Sequence, residues 1–509
     1  MNNQSHSAGT YEEPFPTLQE ALSLAHPGDV IYVYPGNGAP YEARFTLLDD
    51  ERLLGSSVEH VLQTRQGPVV LPAQTERSPS LRSVQDGPML TLGHRNQVSG
   101  FILDQLHSGP AVVGEESEGV VFANNTMTTP LSLSNCFGPI VIRDNVLGGG
   151  MTLTSARTAP SDLVIANNAF SAALQLDYSG EAAVQLEMRG NTSTEGRGVL
   201  DVCIRDSARV AGSITHNALS QICGQLYDHS SVSLAMERNV LQGIQWQGAG
   251  SSSMQFAISN NVVHSVVDQG IHLSALDQVS LNATVRYNTV IAPIGIKVES
   301  QALVALHVTH NALQGTKGIQ CLHSKNSAPR LTFTHNTLIS DSTASVGDVK
   351  GIDIELRERS HLSGLRIAEN NWTSPQVFPL GSDPQGVYLA LREDATATDV
   401  DISNNTLVLP IHAYHANSSP AGICIALQNQ GSLSGMVLSD NHIDFPVAHY
   451  MSKTAPQGIC IHPTGSAVIT DASIVSNKVT FAPIREPLEQ FRSNGIMLLP
   501  CDHASIGSV

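Results

Sequence analysis

The sequence is poor in charged and aromatic side chains. Only 14% of its 509 residues are charged and 5% are aromatic, whereas about 25% of an average globular chain is charged. Long solvated helices need more charge than this, so a helical bundle is excluded. Ser, Thr, Asn, Gly and Val recur instead, and 41% of the residues are apolar. This composition predicts an all-β protein with a large core.

The spacing of the cysteines does not indicate a disulfide framework or a metal site. Their number is odd and no CxxC pair occurs, so neither cystine pairing nor a zinc site is predicted. We interpret them as small, half-buried residues, and we predict no metal and no cofactor. The seven are Cys136, Cys203, Cys223, Cys321, Cys424, Cys460 and Cys501.

Long apolar runs and excess positive charge are missing as well. No run approaches the roughly 18 residues of a membrane span, and the first residues lack the charged and apolar regions of a signal peptide. A net charge of −18 repels phosphate backbones, so a nucleic-acid partner is not expected. We expect either an internal protein or a segment of a longer exported one, at the cell surface or secreted.

An internal repeat predicts the fold. An apolar residue stands three positions before an asparagine in segments such as IRDNVL, ITHNAL and ISNNTL, with a looser match in MRGNTS at Asn191. The marked asparagines are 20 to 27 residues apart as far as Asn336 and 34 to 36 apart beyond it. About 22 to 25 residues is one turn of a three-sided parallel β-helix. The remaining members are Asn125, Asn145, Asn168, Asn217, Asn239, Asn261, Asn288, Asn311, Asn336, Asn370, Asn405, Asn441 and Asn477.

Two properties explain why asparagine marks a turn of the solenoid. Asparagine tolerates positive φ better than most residues, so we expect it to occupy a left-handed turn position. Stacked coils lie about 4.8 Å apart, so each side-chain amide can bond to the next. The repeat therefore predicts a structural asparagine ladder along the corner of the core.

A glycine that opens an alternating strand follows each later asparagine. Examples are GIKVE, GIDIEL and GICIAL, which start at Gly295, Gly351 and Gly422. From asparagine to the next glycine is 7 to 9 residues between 261 and 318, but 15 to 18 after Asn336 and in the four coils that follow. Repeat proteins often place insertions on their binding face, so we expect the inserted loops to cover the strand that follows them.

The candidate ligand-binding residues lie on that strand and in those loops. Ile352, Ile354 and Leu356 are predicted to face the core, with Asp353 and Glu355 facing outward beside Lys297. Aromatic and imidazole side chains of the inserts favour contacts with sugars or proteins. The full predicted set is Lys297, Asp353, Glu355, Trp372, Tyr388, His412, Tyr414 and Tyr450.

The N-terminal region lacks the asparagine repeat and resembles a known family. TLQEALSLA predicts a capping helix, and FTLL, RLLG, GPVVLPA, MLTLG and VSGFILD predict coils without the asparagine mark. The elements PF-x-TLQEAL, PGD-x-I-x-V and LL-x-x-x-x-LLG, within residues 10–105, resemble the opening of pectin-lyase-like right-handed parallel β-helix proteins, in the style of bacterial surface or autotransporter-passenger proteins. The resemblance implies a single-stranded right-handed β-helix. It is weak for function, because this fold hosts lyases, hydrolases and adhesins alike.

Catalytic residues are not predicted. Asp177, Asp201, Arg205, Asp206 and Asp228 come nearest to a calcium-dependent lyase site, but their register is irregular. His216, His310 and His335 share one register, which indicates either a metal-binding column or exposed turn residues, and the latter is favoured.

The sequence therefore predicts three regions along one solenoid. These are a cap and first coils at 1–120, regular coils at 121–336, and coils with stacked insertions at 337–509. We expect a surface-exposed or secreted adhesin or a solenoid that binds carbohydrate or a host surface. The alternative is a carbohydrate-active enzyme, either a polysaccharide lyase or a glycoside hydrolase.

Overall fold

A computed structural model describes residues 8–10, 12–42, 44–83, 86–106, 109–194, 196–265, 269–340, 349–373, 384–409, 420–446, 456–481 and 494–507. The chain forms two compact units, Met1–Gly224 and Gln225–Val509. Each is built of short strands that pair in parallel with strands of the neighbouring coils. The fold is a right-handed parallel β-helix with three sheets, as the repeat predicted. The predicted boundaries at 120 and 336 stay predictions.

Each coil contributes one strand to each of three sheets, which we call sheets 1, 2 and 3. In the first unit, sheet 1 contains Val30–Val33, Arg52–Gly55, Gln97–Ser99, Glu118–Ala123, Phe137–Arg143, Ser161–Ala166, Ala183–Arg189 and Arg209–Thr215. Sheet 2 contains Tyr41–Glu42, Ser80–Ser83, Ile102–Gln105, Thr126–Met127, Val146–Leu147, Ala169–Phe170 and Thr192–Ser193. Sheet 3 contains Phe45–Thr46, Leu90–Leu92, Val112–Glu115, Leu131–Ser134, Met151–Ser155, Leu174–Tyr178, Val199–Ile204 and Gln221–Leu226.

The second unit repeats the same order. Its sheet 1 contains Ser231–Glu237, Ser253–Ser259, Ser280–Arg286, Leu303–Thr309, Ala328–Thr334, His361–Ala368, Thr396–Ser403, Ser432–Ser439, Val468–Val475 and Ser505–Ile506. Its sheet 2 contains Val240–Leu241, Val262–His264, Thr289–Ile291, Ala312–Gly315, Thr337–Ser340, Asn371–Thr373, Thr406–Val408, His442–Phe445 and Lys478–Phe481. Its sheet 3 contains Gly243–Gly248, Gln269–Ala275, Ile294–Ser300, Lys317–His323, Lys350–Leu356, Gln385–Leu391, Ala421–Leu427, Gln457–Pro463 and Asn494–Leu498.

Alternation along the strands builds the core. In Ser231–Glu237 the residues Val232, Leu234 and Met236 are buried and their neighbours face outward. The same inward positions stack from coil to coil, so Met254, Phe256 and Ile258 lie directly on them. A single coil could not bury this row alone, and stacking makes it continuous.

The N-terminal cap is the predicted helix. The helix Leu18–Leu24 begins after Thr17, whose hydroxyl accepts a hydrogen bond from the amide of Glu20 at 3.2 Å. Leu18 is buried and the helix packs on the strand Val30–Val33. It therefore covers the first strand with a mostly polar surface, as expected for the end of a solenoid.

One expected coil is instead a hairpin. His60–Thr64 and Gly67–Leu71 pair antiparallel, so GPVVLPA is not a coil of the helix. Gly67 has φ of 114°, a conformation open mainly to glycine. This turn reverses the chain before the strand can join a parallel sheet.

The asparagine ladder forms as predicted within each unit. The side-chain amide nitrogen of Asn288 donates to Oδ1 of Asn311 at 3.0 Å, and Asn311 donates to Asn336 at 3.0 Å. The same amide of Asn288 donates to the backbone carbonyl of Ile258 at 3.0 Å. Asn191, the looser match, also belongs to the ladder through its 2.8 Å bond to Asn217.

The explanation by left-handed backbone was wrong. Among the described residues, no ladder asparagine has positive φ, and the left-handed position is the residue before it, such as Asn124, Asp144 or His310. Asparagine is needed for its buried amide, which both donates and accepts. The exposed residue before it makes the bend, so that position varies.

Candidate functional site

The site is built on the outward face of sheet 3 in the second unit. The first outward positions align in one column across neighbouring coils. This alignment matches the register expected from the glycine marker. In chain order the column is His272, Lys297, Gln320, Asp353, Tyr388, Cys424, Cys460 and Met497.

The glycine marker has a steric cause that sequence reasoning did not supply. A Cβ on Gly351 would lie 2.5 Å from the carbonyl oxygen of Gly386 and 3.2 Å from the indole of Trp372. Only glycine therefore lets consecutive coils approach at this point. The glycines hold the strand starts in line, and this aligns the outward columns.

Asp353 lies at the centre of a group of cations. Its carboxylate is 3.5 Å from Nζ of Lys317 and 3.3 Å from Nζ of Lys350. The side-chain amide of Gln320 donates to it at 3.2 Å. Asp353 is only 3% exposed, so its part in binding a ligand stays a prediction. Its carboxylate pairs with the lysines, because a buried carboxylate requires paired charge.

Glu355, on the same strand, holds two arginines. Its carboxylate is 2.9 Å from Nη2 of Arg357 and 2.5 Å from Nε of Arg392. Its side chain is 13% exposed, whereas those of Arg357 and Arg392 are 54% and 35% exposed. The arginines, and not the predicted carboxylate, are the groups that an incoming molecule would meet.

Glu299, in the strand Ile294–Ser300, also lies between two basic side chains. Its carboxylate is 2.9 Å from Nζ of Lys297 and 3.2 Å from Nε2 of His272. The hydrogen bond from His272, followed by that from Lys297, lowers the pKa of Glu299 to about 2. Glu299 is thus ionised at neutral pH, and predicted site residue Lys297 lies directly against it.

Tyr388 packs on this cation group. Nζ of Lys350 lies over its ring, 3.8 Å from the centroid, which is a cation–π contact. Burial raises the pKa of the Tyr388 phenol above its ordinary value, so the phenol stays protonated at neutral pH. The predicted residues Lys297, Asp353, Glu355 and Tyr388 therefore share one face of sheet 3.

Two aromatic residues of the later coils, Trp372 and Phe445, lie in sheet 2 and not on this face. Trp372 is 3% exposed in sheet 2, aligned with Leu338 and Leu407, so it fills the core there and its part in ligand binding stays a prediction. Phe445 is also buried and stacks on Phe481 with ring centroids 5.2 Å apart. Both fill positions of sheet 2 because they continue its inward row. The insert residues His412, Tyr414 and Tyr450 lie outside the described residues.

Sequence reasoning missed the lysines that precede the glycine marker. Lys317 and Lys350 occupy aligned positions in neighbouring strands, and both begin the segment Lys-Gly-Ile. That repeated tripeptide was the available signal. Their common target, Asp353, is visible only once the coils are aligned.

The two weaker candidates do not form sites. Asp177 aligns with Cys203, while Asp201 aligns with Gln175, so these carboxylates lie at different positions of their strands. The column of His310 and His335 is a stacked pair at 4.5 Å, in left-handed turn positions, with Glu369 2.6 Å from His335. Within the described part of the chain, no group of three or more metal-ligating side chains occurs.

Comparisons with known proteins add little. No family model matches the chain, and no curated protein matches it. Among solved structures, the PL6 family alginate lyase AlyGC has 9% identity with a TM-score of 0.17, covering 96% of this chain and 98% of that chain. A point mutant of that lyase has 9% identity and a TM-score of 0.15, covering 94% and 98%. A likeness this remote carries no argument about activity. Among the described residues, no helix has the length and apolarity needed to span a membrane.

Proposed function

We propose that the outward face of sheet 3 in the second unit binds an anionic polysaccharide, such as a polyuronate. The observation that carries this proposal is the sharing of each carboxylate by two basic groups. Asp353 is shared by Lys317 and Lys350, Glu355 by Arg357 and Arg392, and Glu299 by Lys297 and His272.

This sharing leaves a local excess of positive charge. A carboxylate neutralises one cation, so even with His272 neutral the group has five cations and three carboxylates. The whole chain has a net charge of −18, so this local excess is opposite in sign to the charge of the chain. An anionic chain would be attracted to this face, and its carboxylates would take the remaining hydrogen bonds of the lysines and arginines.

The solenoid supplies a repeat that suits a polymer. Strands of neighbouring coils lie about 4.8 Å apart, so Lys297, Gln320, Asp353 and Tyr388 form a row along the axis. A polysaccharide lying along that row would meet several charged coils at once. Tyr388 adds an aromatic surface beside Lys350, a type of side chain that favours sugar contacts.

Binding is better supported than a lyase reaction. A lyase needs a base that removes a proton beside a neutralised carboxylate. Tyr388 lies among the cations, but burial raises its pKa. A protonated phenol can donate a proton but cannot remove one. The adhesin and the cell-surface location remain predictions.

Binding of polygalacturonate and alginate, with dextran as a neutral control, tests the proposal by calorimetry. Lys297→Gln and Lys350→Gln should each weaken polyuronate binding by about tenfold, the equivalent of one charge-assisted contact of about 1.4 kcal/mol. Lys325→Gln is the matched control, because Lys325 is an exposed turn residue whose Nζ contacts Gln301 at 2.8 Å. Added salt should weaken binding of the parent protein.

Equal affinity for dextran, or equal loss in all three variants, would contradict the proposal. Release of unsaturated uronate ends, measured with calcium and with a chelator, would instead favour the lyase alternative. Thermal melts of each variant would separate lost binding from lost folding.

A further inference from the structure

Two cysteines occupy consecutive places in the outward column of sheet 3. Cys424 lies in the strand Ala421–Leu427 and Cys460 in Gln457–Pro463, and the two residues are directly aligned. Tyr388 and Met497 are their neighbours in the column. Neither cysteine is in a disulfide in the structure.

The spacing of the coils suits a bond between these two sulfurs. Neighbouring strands are about 4.8 Å apart, and disulfides span Cα–Cα distances of about 4.4 to 6.8 Å. The Cys424 thiol also forms a hydrogen bond with the Cys460 sulfur, which lowers the pKa of Cys460 below its ordinary value. The register therefore places the two side chains next to each other on the same face of sheet 3.

Other cysteines differ in their surroundings. Cys321 lies between the inward residues Val298 and Ile354 and is fully buried, so burial raises its pKa. Cys424 is half-buried on the outer face, next to the small residue Ala426. Cys460 is only 6% exposed, so Cys424 is the member of the pair that a small reagent would meet first.

We propose that Cys424 and Cys460 are a redox modification site, where a disulfide between coils forms by exchange with a low-molecular-weight disulfide. In the first step one thiolate attacks the reagent, a sulfur–sulfur bond to the protein forms, and one reagent thiolate leaves. In the second step the other cysteine attacks this mixed disulfide and expels the second reagent thiolate. The two protein thiols are oxidised, one reagent disulfide is reduced to two thiols, and the two protons end on those thiols.

The bond would tie one coil of the solenoid to the next. It closes the loop between Cys424 and Cys460, so it restricts the unfolded chain more than the folded one. Side chains in aligned parallel strands project in the same direction, which differs from the geometry of a relaxed disulfide. We therefore infer a reversible bond that a dithiol reductant cleaves readily.

Mass spectrometry of the full chain after treatment with oxidised glutathione tests this inference. Peptide mapping of the parent protein should join Cys424 to Cys460, with the loss of two hydrogen atoms from that pair, whereas the exposed Cys501 should take up glutathione in every variant. Cys460→Ser should retain one glutathione at Cys424, because no partner can expel it, and Cys424→Ser should lack the bond. Dithiothreitol should restore the parent mass, and the oxidised protein should unfold at a higher urea concentration than the reduced protein.

Cys203→Ser is the matched control, since Cys203 is a half-buried residue of the first unit, and this variant should behave as the parent does. A stable glutathione adduct on the parent at Cys424 or Cys460 would overturn the inference. So would a parent disulfide that joins Cys460 to Cys501, whose sulfur is 3.7 Å from Nε2 of His462. Failure of polyuronate binding would leave this result unaffected, because the readout is the mass of the protein alone.

Discussion

The ladder corner and the outward face of sheet 3 differ in how they use the same repeat. At the corner, each ladder asparagine of the second unit from Asn239 to Asn441 donates its backbone and side-chain amides to Oδ1 of the next asparagine. On the outward face, aligned positions change from Lys297 to Asp353 to Cys424. A residue that every coil repeats indicates a structural demand, whereas aligned residues that change indicate a local function.

Removal of Asp353 should have the largest effect. Asp353→Ala leaves Lys317 and Lys350 without their shared carboxylate at a site where Asp353 is 3% exposed. Breaking a buried pair costs about 3–5 kcal/mol, and urea unfolding should show a loss of that order. Asp162→Ala, on an exposed strand position, is the control and should change little. A loss below about 1 kcal/mol would mean that the lysines find other partners.

A single ladder residue should have a smaller effect. Asn288→Val removes bonds to Asn311, Ile258 and Arg286 and leaves buried groups unpaired. We expect a loss of about 1–3 kcal/mol in the free energy of unfolding. Asn282→Val changes an exposed strand residue of the same unit and should be nearly neutral. Similar losses of stability in the two variants would show that the buried ladder position is no more important for folding than an exposed strand position.

His323 should make the protein sensitive to acid. It is fully buried at an inward position, and neither ring nitrogen has a hydrogen-bond partner among the described residues. Burial lowers its pKa to about 3. Below about pH 6.5 the unfolded chain binds a proton that the folded chain cannot, so stability should fall by about 1.4 kcal/mol per pH unit down to about pH 3.

Comparison of the acid dependence of the parent and His323→Leu tests this expectation. Leucine suits the position because the aligned residue of the next coil is Leu356. Urea unfolding of His323→Leu between about pH 7 and pH 4 should show a shallower fall in stability, by about one proton. Identical slopes in the two proteins would show that other groups control the acid response.

The exposed residue before the ladder should tolerate replacement. His335 stacks on His310 and pairs with Glu369, but its side chain is 43% exposed and its φ is 58°. Exposed pairs contribute about 0–1 kcal/mol, and asparagine also accepts positive φ. Urea unfolding of His335→Asn should therefore differ from the parent by less than about 0.5 kcal/mol. A loss above about 1 kcal/mol would show that the stacked histidines contribute to the stability of the fold.

Local patterns were enough to predict the repeating parts of the molecule. Short-range spacing and residue type were enough to predict the asparagine ladder, the strands that begin with glycine and the capping helix. The structure confirms all three. The left-handed position was assigned to the ladder asparagine, whereas it belongs to the residue before it. Asparagine itself tolerates positive φ, so the sequence pattern did not separate the two positions. The hairpin at His60–Leu71 was missed because its two strands resemble coil strands in composition.

The site depended on contacts between coils. The sequence by itself determined the fold, the register of the outward column, the places of Lys297, Asp353 and Tyr388 in it, and the position of Glu355 on the same face. Only the tertiary structure brought Lys317 to Asp353, buried Trp372 and aligned Cys424 with Cys460. The physical reason is that residues about 35 positions apart become neighbours only when coils stack, and side-chain charge, reach and burial then decide which of them meet.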